Sequence, residues 1–308
     1  MDRGGTGAAS EPGAVLRIAE QHGLAYAPLA VLQITGGLES ALDGPVEWVR
    51  MNNAAGIREA MLAGRLDVGF MGVPPYLIGK DRGMEWQVFV GLSEAPLGLV
   101  SLHREVVTLS DLVGRAGAGR IALPQPGSIQ HILLAMALER RGFPPDALDS
   151  RLISMAHPDG MAALLARGDV VAHFTSPPFL GRELEEPGAR LLVDGTEAFG
   201  QPFTFIVGVS TGIGGQSTVP LSVVRGAVDD AVVRVSELQV QLSGNPNSPA
   251  PPESVALLED LARFYGLDAD DLAEQLISSG IRYSTEIHGV ERFQRTMTRQ
   301  GYLHNEAP

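Results

Sequence analysis

The chain has 308 residues, 44% of them hydrophobic and 19% charged, a globular composition with length enough for two domains of about 100–150 residues each. Its formal charge of −13, with Lys80 the single lysine and no basic stripe, argues against binding the phosphate backbone of nucleic acids. Cysteine is absent, which excludes disulfides, thiolate catalysis, thiolate zinc ligands and a lipid-anchoring cysteine.

Residues 1–13, rich in Gly, Ala and Ser, read as a disordered tail without the apolar stretch of a secretory signal. Beyond it strands and helices alternate. A strand at 15–19 leads into a helix at 27–34, where Pro28 sits early enough for its missing N–H to cost nothing. A strand at 46–51, a helix at 56–63 and a strand at 67–71 follow, and Pro74-Pro75 opens a further helix. Strands are also expected at 88–92, 98–102 and 203–209.

Sliding the chain on itself by 103 residues repeats this unit. Arg17-Ile18-Ala19 falls on Arg120-Ile121-Ala122, Ala60-Met61-Leu62-Ala63 on Ala163-Leu164-Leu165-Ala166, and Pro74-Pro75-Tyr76-Leu77 on Pro177-Pro178-Phe179-Leu180. The second unit carries strands at 120–123, 151–155 and 170–174, and helices at 128–141 and 158–166. Ser128 is the expected N-cap of the first of these helices and Gly142 its terminator. The chain finishes in helices at 221–242, 253–265, 270–278 and 289–300, with a Pro/Asn/Ser-rich loop at 245–252.

Such alternation implies right-handed βαβ units and parallel sheets. The fold class is α/β, with two Rossmann-like lobes joined by a hinge. Residues 14–97 plus 206–308 form the first lobe and 98–205 the second, the chain crossing between them at 95–102 and 203–210. The C-terminal helices are expected to pack on the first lobe. No stretch approaches the ~20 apolar residues that span a bilayer, so membrane insertion is not expected.

Ligands of open parallel sheets bind where strands hand over to helices at their C-terminal ends. Five such junctions stand out. They hold His22, Leu24 and Tyr26; Asn53; Gly72 and Val73; Gln125, Ser128, Ile129 and Gln130; and His173 and Thr175. Together they offer helix N–H groups and short polar side chains to a small molecule, which an anion would suit. Turn chemistry alone also asks for Gly, Pro and Ser at each junction. Tyr26 and His173 fit the apolar core equally well, and His131, one turn into a helix, reads as structural.

The string from Ala163-Leu164-Leu165-Ala166-Arg167-Gly168-Asp169 through His173-Phe174-Thr175-Ser176-Pro177-Pro178-Phe179 resembles the corresponding segment of the nitrate/sulfonate/taurine-type solute receptors of ABC importers. Residues 59–72, with Gly64 and Asp67, look like its counterpart in the first unit. Gly280-Ile281-Arg282-Tyr283-Ser284 through Gly289-Val290-Glu291-Arg292-Phe293 to Gly301-Tyr302-Leu303 is similar to that family's C-terminal helix. The resemblance implies a type II periplasmic-binding-protein fold that closes on its ligand by a hinge. It carries the family's binding loops onto Tyr26, Asn53, Gly72, Gln125, Ser128, Gln130 and Thr175. The implied function is capture of a small, anionic organic ligand such as a sulfonate, taurine, nitrate or a small carboxylate. The implied partners are that ligand and an ABC permease, with a monomeric receptor and no cofactor.

The resemblance implies a periplasmic or extracytoplasmic site with the signal removed, whereas the lack of a signal in this chain leaves a cytoplasmic alternative. An enzyme on the same fold is the competing reading, ranked below the receptor. It would be a cysteine-free acid/base lyase or biosynthetic enzyme using His22, His173 or Glu94. The desulfinases of this fold rely on a cysteine that is missing here. The pyrimidine synthases rely on a lysine where this chain has Met71 and Gly72, and Lys80 reads as a solvated surface residue. Gly208-Val209-Ser210-Thr211-Gly212 matches a nucleophile elbow formally, but no helix follows it. The glycines of Gly4 to Gly7 and of Gly212 to Gly215 lack the Gly-Lys-Ser/Thr of a phosphate loop. Histidines are scattered, so no metal site is expected.

Overall fold

A computed structural model describes residues 15–114, 119–211, 220–244 and 250–304. The expected tail, the glycines 212–215 and most of the 245–252 loop lie outside these residues.

Strand β1 (Leu16–Glu20) passes through a 3₁₀ turn into α1 (Ala27–Thr35), which ends at the left-handed Gly36, and then α2 (Gly37–Leu42). β2 (Val46–Arg50), α3 (Ala54–Leu62), β3 (Val68–Gly72), α4 (Val73–Asp81) and β4 (Trp86–Glu94) follow. The next unit holds β5 (Gly98–Ser101), α5 (Leu109–Gly114), β6 (Arg120–Leu123), α6 (Ile129–Arg140), β7 (Leu152–Ser154) and α7 (His157–Leu165). It continues through β8 (Val170–Thr175), α8 (Phe179–Glu185), β9 (Arg190–Asp194) and α9 (Gly195–Phe199). β10 (Ile206–Thr211), α10 (Leu221–Leu242), α11 (Pro252–Tyr265), α12 (Ala269–Ser278), β11 (Arg282–Tyr283) and α13 (Val290–Arg299) complete the chain.

The strands form two sheets, in the orders β11-β4-β10-β3-β1-β2 and β7-β6-β8-β5-β9. β1, β2 and β3 run parallel, as do their counterparts β6, β7 and β8. Each sheet then takes an antiparallel strand from the other end of the chain's excursion: β10 beside β3, and β5 beside β8. The 103-residue register therefore has a tertiary meaning. Arg17 forks onto Asp67 through Nε and Nη2, at 3.1 and 2.9 Å, tying the first strand of its unit to the start of the third. One residue out of that register, the Arg120 backbone N–H donates to the Asp169 carbonyl at 2.6 Å.

The central strands β3 and β8 are buried at every position, as sheets covered on both faces require. The expected strands and long helices are present with ends shifted by at most three residues, and α10 spans the expected 221–242. The short elements α2, α5, β9, α9 and β11 were not expected. They are two to six residues long, too short for a hydrophobic period to mark them. Of the C-terminal helices, α10 packs on α1, α2 and β4, and α11 on α1. α13 departs from the expectation, because it touches α6 of the second unit as well as α4 and pairs Arg299 with Glu139 at 2.8 Å.

Candidate functional site

The C-terminal ends of the parallel strands of both sheets converge on one cavity of about 30 Å³. The first sheet contributes Gln21, His22 and Tyr26 after β1, Ala54 at the start of α3, and Gly72 and Pro75 after β3. The second contributes Pro124, Gln125, Ser128, Ile129 and Gln130 after β6, His157 at the start of α7 and Ser176 after β8. Phe205 and Ile206, entering β10, complete the wall.

The α6 end of the cavity presents unpaired helix N–H groups. Ser128 caps the helix, its Oγ accepting the His131 N–H at 3.3 Å, and so leaves the first-turn N–H groups of Ile129 and Gln130 without a helical acceptor. These groups and the helix dipole favour negative charge there. Two of the other helix starts at the cavity, those of α4 and α3, have less to give. α4 opens with Pro74 and Pro75, which have no N–H. At α3, Asn53 Oδ1 accepts from Gly56 at 3.0 Å, and Gln125 Oε1 reaches across from the other sheet to accept from Ala55 at 2.9 Å. Gln125 thereby bridges the two walls.

Behind the cavity lies a chain of buried titratable groups. The Gln130 side-chain amide lies 3.3 Å from His157 Nε2, and His157 Nδ1 lies 3.4 Å from His173 Nε2. His173 Nδ1 is 2.5 Å from Glu183 Oε1. His173 and Glu183 have no solvent exposure, and Glu183 Oε2 has no hydrogen-bond partner among the described residues. An ionised carboxylate with an orphan oxygen in such surroundings is costly, so burial pushes Glu183 up to about 9 and the protonated carboxyl keeps its proton, donating it as a hydrogen bond to His173 Nδ1. Burial likewise lowers His173 to about 3. His157 is held well below its usual value, first by burial and then by the charges of His173 and His22. His22 is lowered by burial and then by Arg50. The close approach of α7 to His173 requires a glycine: a Cβ on Gly160 would stand 2.5 Å from His173 Nε2.

A second, larger cavity of about 220 Å³ shares Gln21, His22 and Tyr26 with the first. Its remaining wall includes Leu24, Phe179, Arg182, Phe264, Tyr265 and Leu267. The Glu20–Arg50 ion pair, 2.8 Å across, also borders it.

Of the residues singled out in the sequence, Tyr26, Gly72, Gln125, Ser128, Ile129 and Gln130 line the first cavity, and Leu24 the second. Asn53, Val73, His173 and Thr175 line neither. Asn53 is spent as a helix cap, His173 is turned to Glu183, and Thr175 Oγ1 lies 3.3 Å from His157 Nδ1. Among the enzyme candidates, His22 lines both cavities whereas Glu94 faces Arg282 and His288 and lines neither. His131 accepts the Gly127 N–H at 2.9 Å and meets Asp149 at 3.0 Å, a structural role. His157 and Gln21 went unmarked in the sequence. The repeat could have found them, because the 103-residue offset carries Ala54 onto His157 and Gln21 onto Pro124, all four of which line the cavity.

Among the described residues no group of three or more His, Asp or Glu side chains is placed to hold a metal ion. No helix there is long and apolar enough to cross a membrane.

Comparison with known proteins places these features. The model of the NMT1-like family matches residues 10–196. The taurine-binding periplasmic protein of Escherichia coli (strain K12) is 26% identical over 179 residues, which cover 56% of this chain and 51% of that protein. The chain thus spans about half the length of the curated relative it matches. The alkanesulfonate-binding protein SsuA of Xanthomonas axonopodis pv. citri, solved with MOPS bound, superposes with a TM-score of 0.72 at 22% identity, covering 96% of both chains. The periplasmic aliphatic sulphonate binding protein SsuA of Escherichia coli superposes with a TM-score of 0.63 at 21% identity, over 95% of this chain and 94% of that one. The fold is that of these periplasmic binding proteins.

Proposed function

We propose that this chain, which belongs to the NMT1-like family, is a solute receptor that captures a small organic anion, a sulfonate or taurine-like acid, between two lobes. The observation that carries this reading is the convergence of strand-to-helix junctions from both sheets on one cavity whose wall includes the open first turn of α6. The family membership and the taurine-binding relative support it. The anion's oxygens take the Ile129 and Gln130 N–H groups, and His157 and Gln125, from the same unit, also line the cavity. Among the described residues no lysine or arginine lines this cavity, and His157 and His22 are both lowered towards the neutral form, so the anion is met by the helix dipole and N–H donors rather than by a fixed cation.

The lobes are residues 14–97 with 206–308, and 98–205. In the arrangement described the cavity, about 30 Å³, admits only a small head group, so the anion enters when the walls part and is enclosed when they return. Gln125, bridging to Ala55, is the contact that opening breaks. The receptor acts outside the cytoplasm as a monomer and presents its closed form to an ABC permease.

Thermal melts and calorimetry of the purified chain with methanesulfonate, taurine, nitrate and acetate test the reading. A sulfonate present at a hundred times its Kd should stabilise the fold by about 2.7 kcal/mol and be recovered unchanged. Conversion of the added compound to a product, or no stabilisation by any of the four compounds, would overturn it.

A further inference from the structure

We infer that the outer cavity is a tail chamber, so that the ligand class of this receptor is an anion carrying a single aromatic or alicyclic ring, such as benzenesulfonate, rather than taurine or nitrate. This rests on the anion-receptor reading and specifies the other end of the same ligand.

The two cavities are neighbours. Gln21, His22 and Tyr26 belong to both walls, so these three side chains stand between a head group at the first turn of α6 and the outer space, and the tail enters that space where they part. The inner cavity, about 30 Å³, has no room for more than a small head group. The outer one, about 220 Å³, exceeds the roughly 150 Å³ of apolar cavity that encloses a benzene molecule. A ligand without a tail would leave that volume to water against apolar walls.

The walls suit a ring. Phe179 enters from the start of α8 and is held by stacking on His157, with ring centroids 5.8 Å apart at 27°. Phe264 and Tyr265, at the end of α11, pack edge to face at 5.3 Å, and the Arg50 guanidinium lies 4.9 Å over the Phe264 ring. Arg50 is itself fixed by two hydrogen bonds to Glu20, which is 2% exposed. The rings are therefore preorganised, and an added ring finds both faces and edges to pack against.

The charge pattern excludes an ammonium tail. Glu20, the acidic group bordering the chamber, is already engaged by Arg50. Arg182, exposed and lining the same chamber, has no ion-pair partner among the described residues and adds positive potential to it. A neutral ring meets no such repulsion.

Isothermal titration of the whole chain with methanesulfonate, taurine and benzenesulfonate reads the inference. Benzenesulfonate should bind at least roughly tenfold more tightly than methanesulfonate, since several ring carbons leave water, and taurine more weakly than methanesulfonate. Leu267→Trp, which fills the chamber from its rim, should remove the benzenesulfonate advantage while methanesulfonate affinity stays unchanged. Retained methanesulfonate binding also shows that the variant is folded. If that variant does not fold, Phe264→Ala serves instead, and should move the preference from benzenesulfonate towards the larger naphthalenesulfonate. Equal affinity for the three ligands, or a benzenesulfonate advantage that survives both variants, would overturn the tail chamber and leave the anion receptor standing. Absence of binding by all three would overturn both.

Discussion

At the scale of single residues, the Glu183–His173 pair dominates the acid–base behaviour of the second unit. Glu183 is raised in the folded state, so its contribution to stability is complete below its ordinary value of 4.5 and is lost as pH rises towards about 9. His173 is lowered, so its contribution is complete above its ordinary value of 6.5 and is lost as pH falls towards about 3. Between these ordinary values the two slopes oppose one another and cancel. Above about pH 7 only the Glu183 slope remains, about 1.4 kcal/mol per pH unit. Urea unfolding at a series of pH values should show wild type losing stability relative to Glu183→Gln between about pH 7 and 8.5. Parallel curves would mean that Glu183 is already ionised in the folded chain. His157 couples this pair to the cavity, because it touches His173 on one side and the Gln130 amide on the other.

At the scale of elements, the helix starts around the cavity are not equivalent, and their differences follow from single side chains. Pro74-Pro75 removes donors from α4, Asn53 and Gln125 occupy those of α3, and Ser128 takes one N–H of α6 while leaving its first two open. Gln125 also crosses from one sheet to the other. Replacing it with alanine should cost about 1 kcal/mol in unfolding free energy, the usual net worth of one hydrogen bond. The same variant without ligand should show a larger radius of gyration by X-ray scattering, since the contact holding the walls together is gone. An unchanged radius would assign closure to the apolar contacts of Phe205, Ile129 and their neighbours instead.

At the scale of the whole molecule, the charge of −13 opposes the approach of the anion that the cavity accepts. Salt screens that repulsion over a Debye length of roughly 10 Å at 0.1 M, so the association rate constant for benzenesulfonate or methanesulfonate should rise as salt increases from about 20 to 200 mM. Stopped-flow mixing at the two ionic strengths measures it. A rate that falls with salt would show that local cations such as Arg182 govern the encounter rather than the net charge. The crossing of the chain between sheets has a related consequence. β10 is inserted antiparallel beside β3, the last parallel strand of the first unit, so the first sheet depends on a strand delivered from far along the sequence, whereas β5 enters the second sheet from just ahead of its own unit.

Much of this architecture was legible in the sequence because it is written in local terms. Apolar runs of strand length, Ser128 ahead of a helix and Gly142 behind it, and a 103-residue repeat fix the elements and their order without any long-range contact. The junctions at Gln125, Ser128 and Gln130 were legible for the same reason, since the C-terminal ends of parallel strands are defined by strand direction. Whether a junction residue faces the cavity depends on where its side chain finds a partner. Asn53 turns to its own helix, Thr175 to His157 and His173 to a glutamate ten residues on, and these contacts exist only once α3, α7 and α8 are docked. The outer chamber lay wholly beyond sequence reasoning. Its rings come from α8 and α11, which are far apart along the chain, and only packing brings Phe179, Phe264 and Tyr265 around one volume.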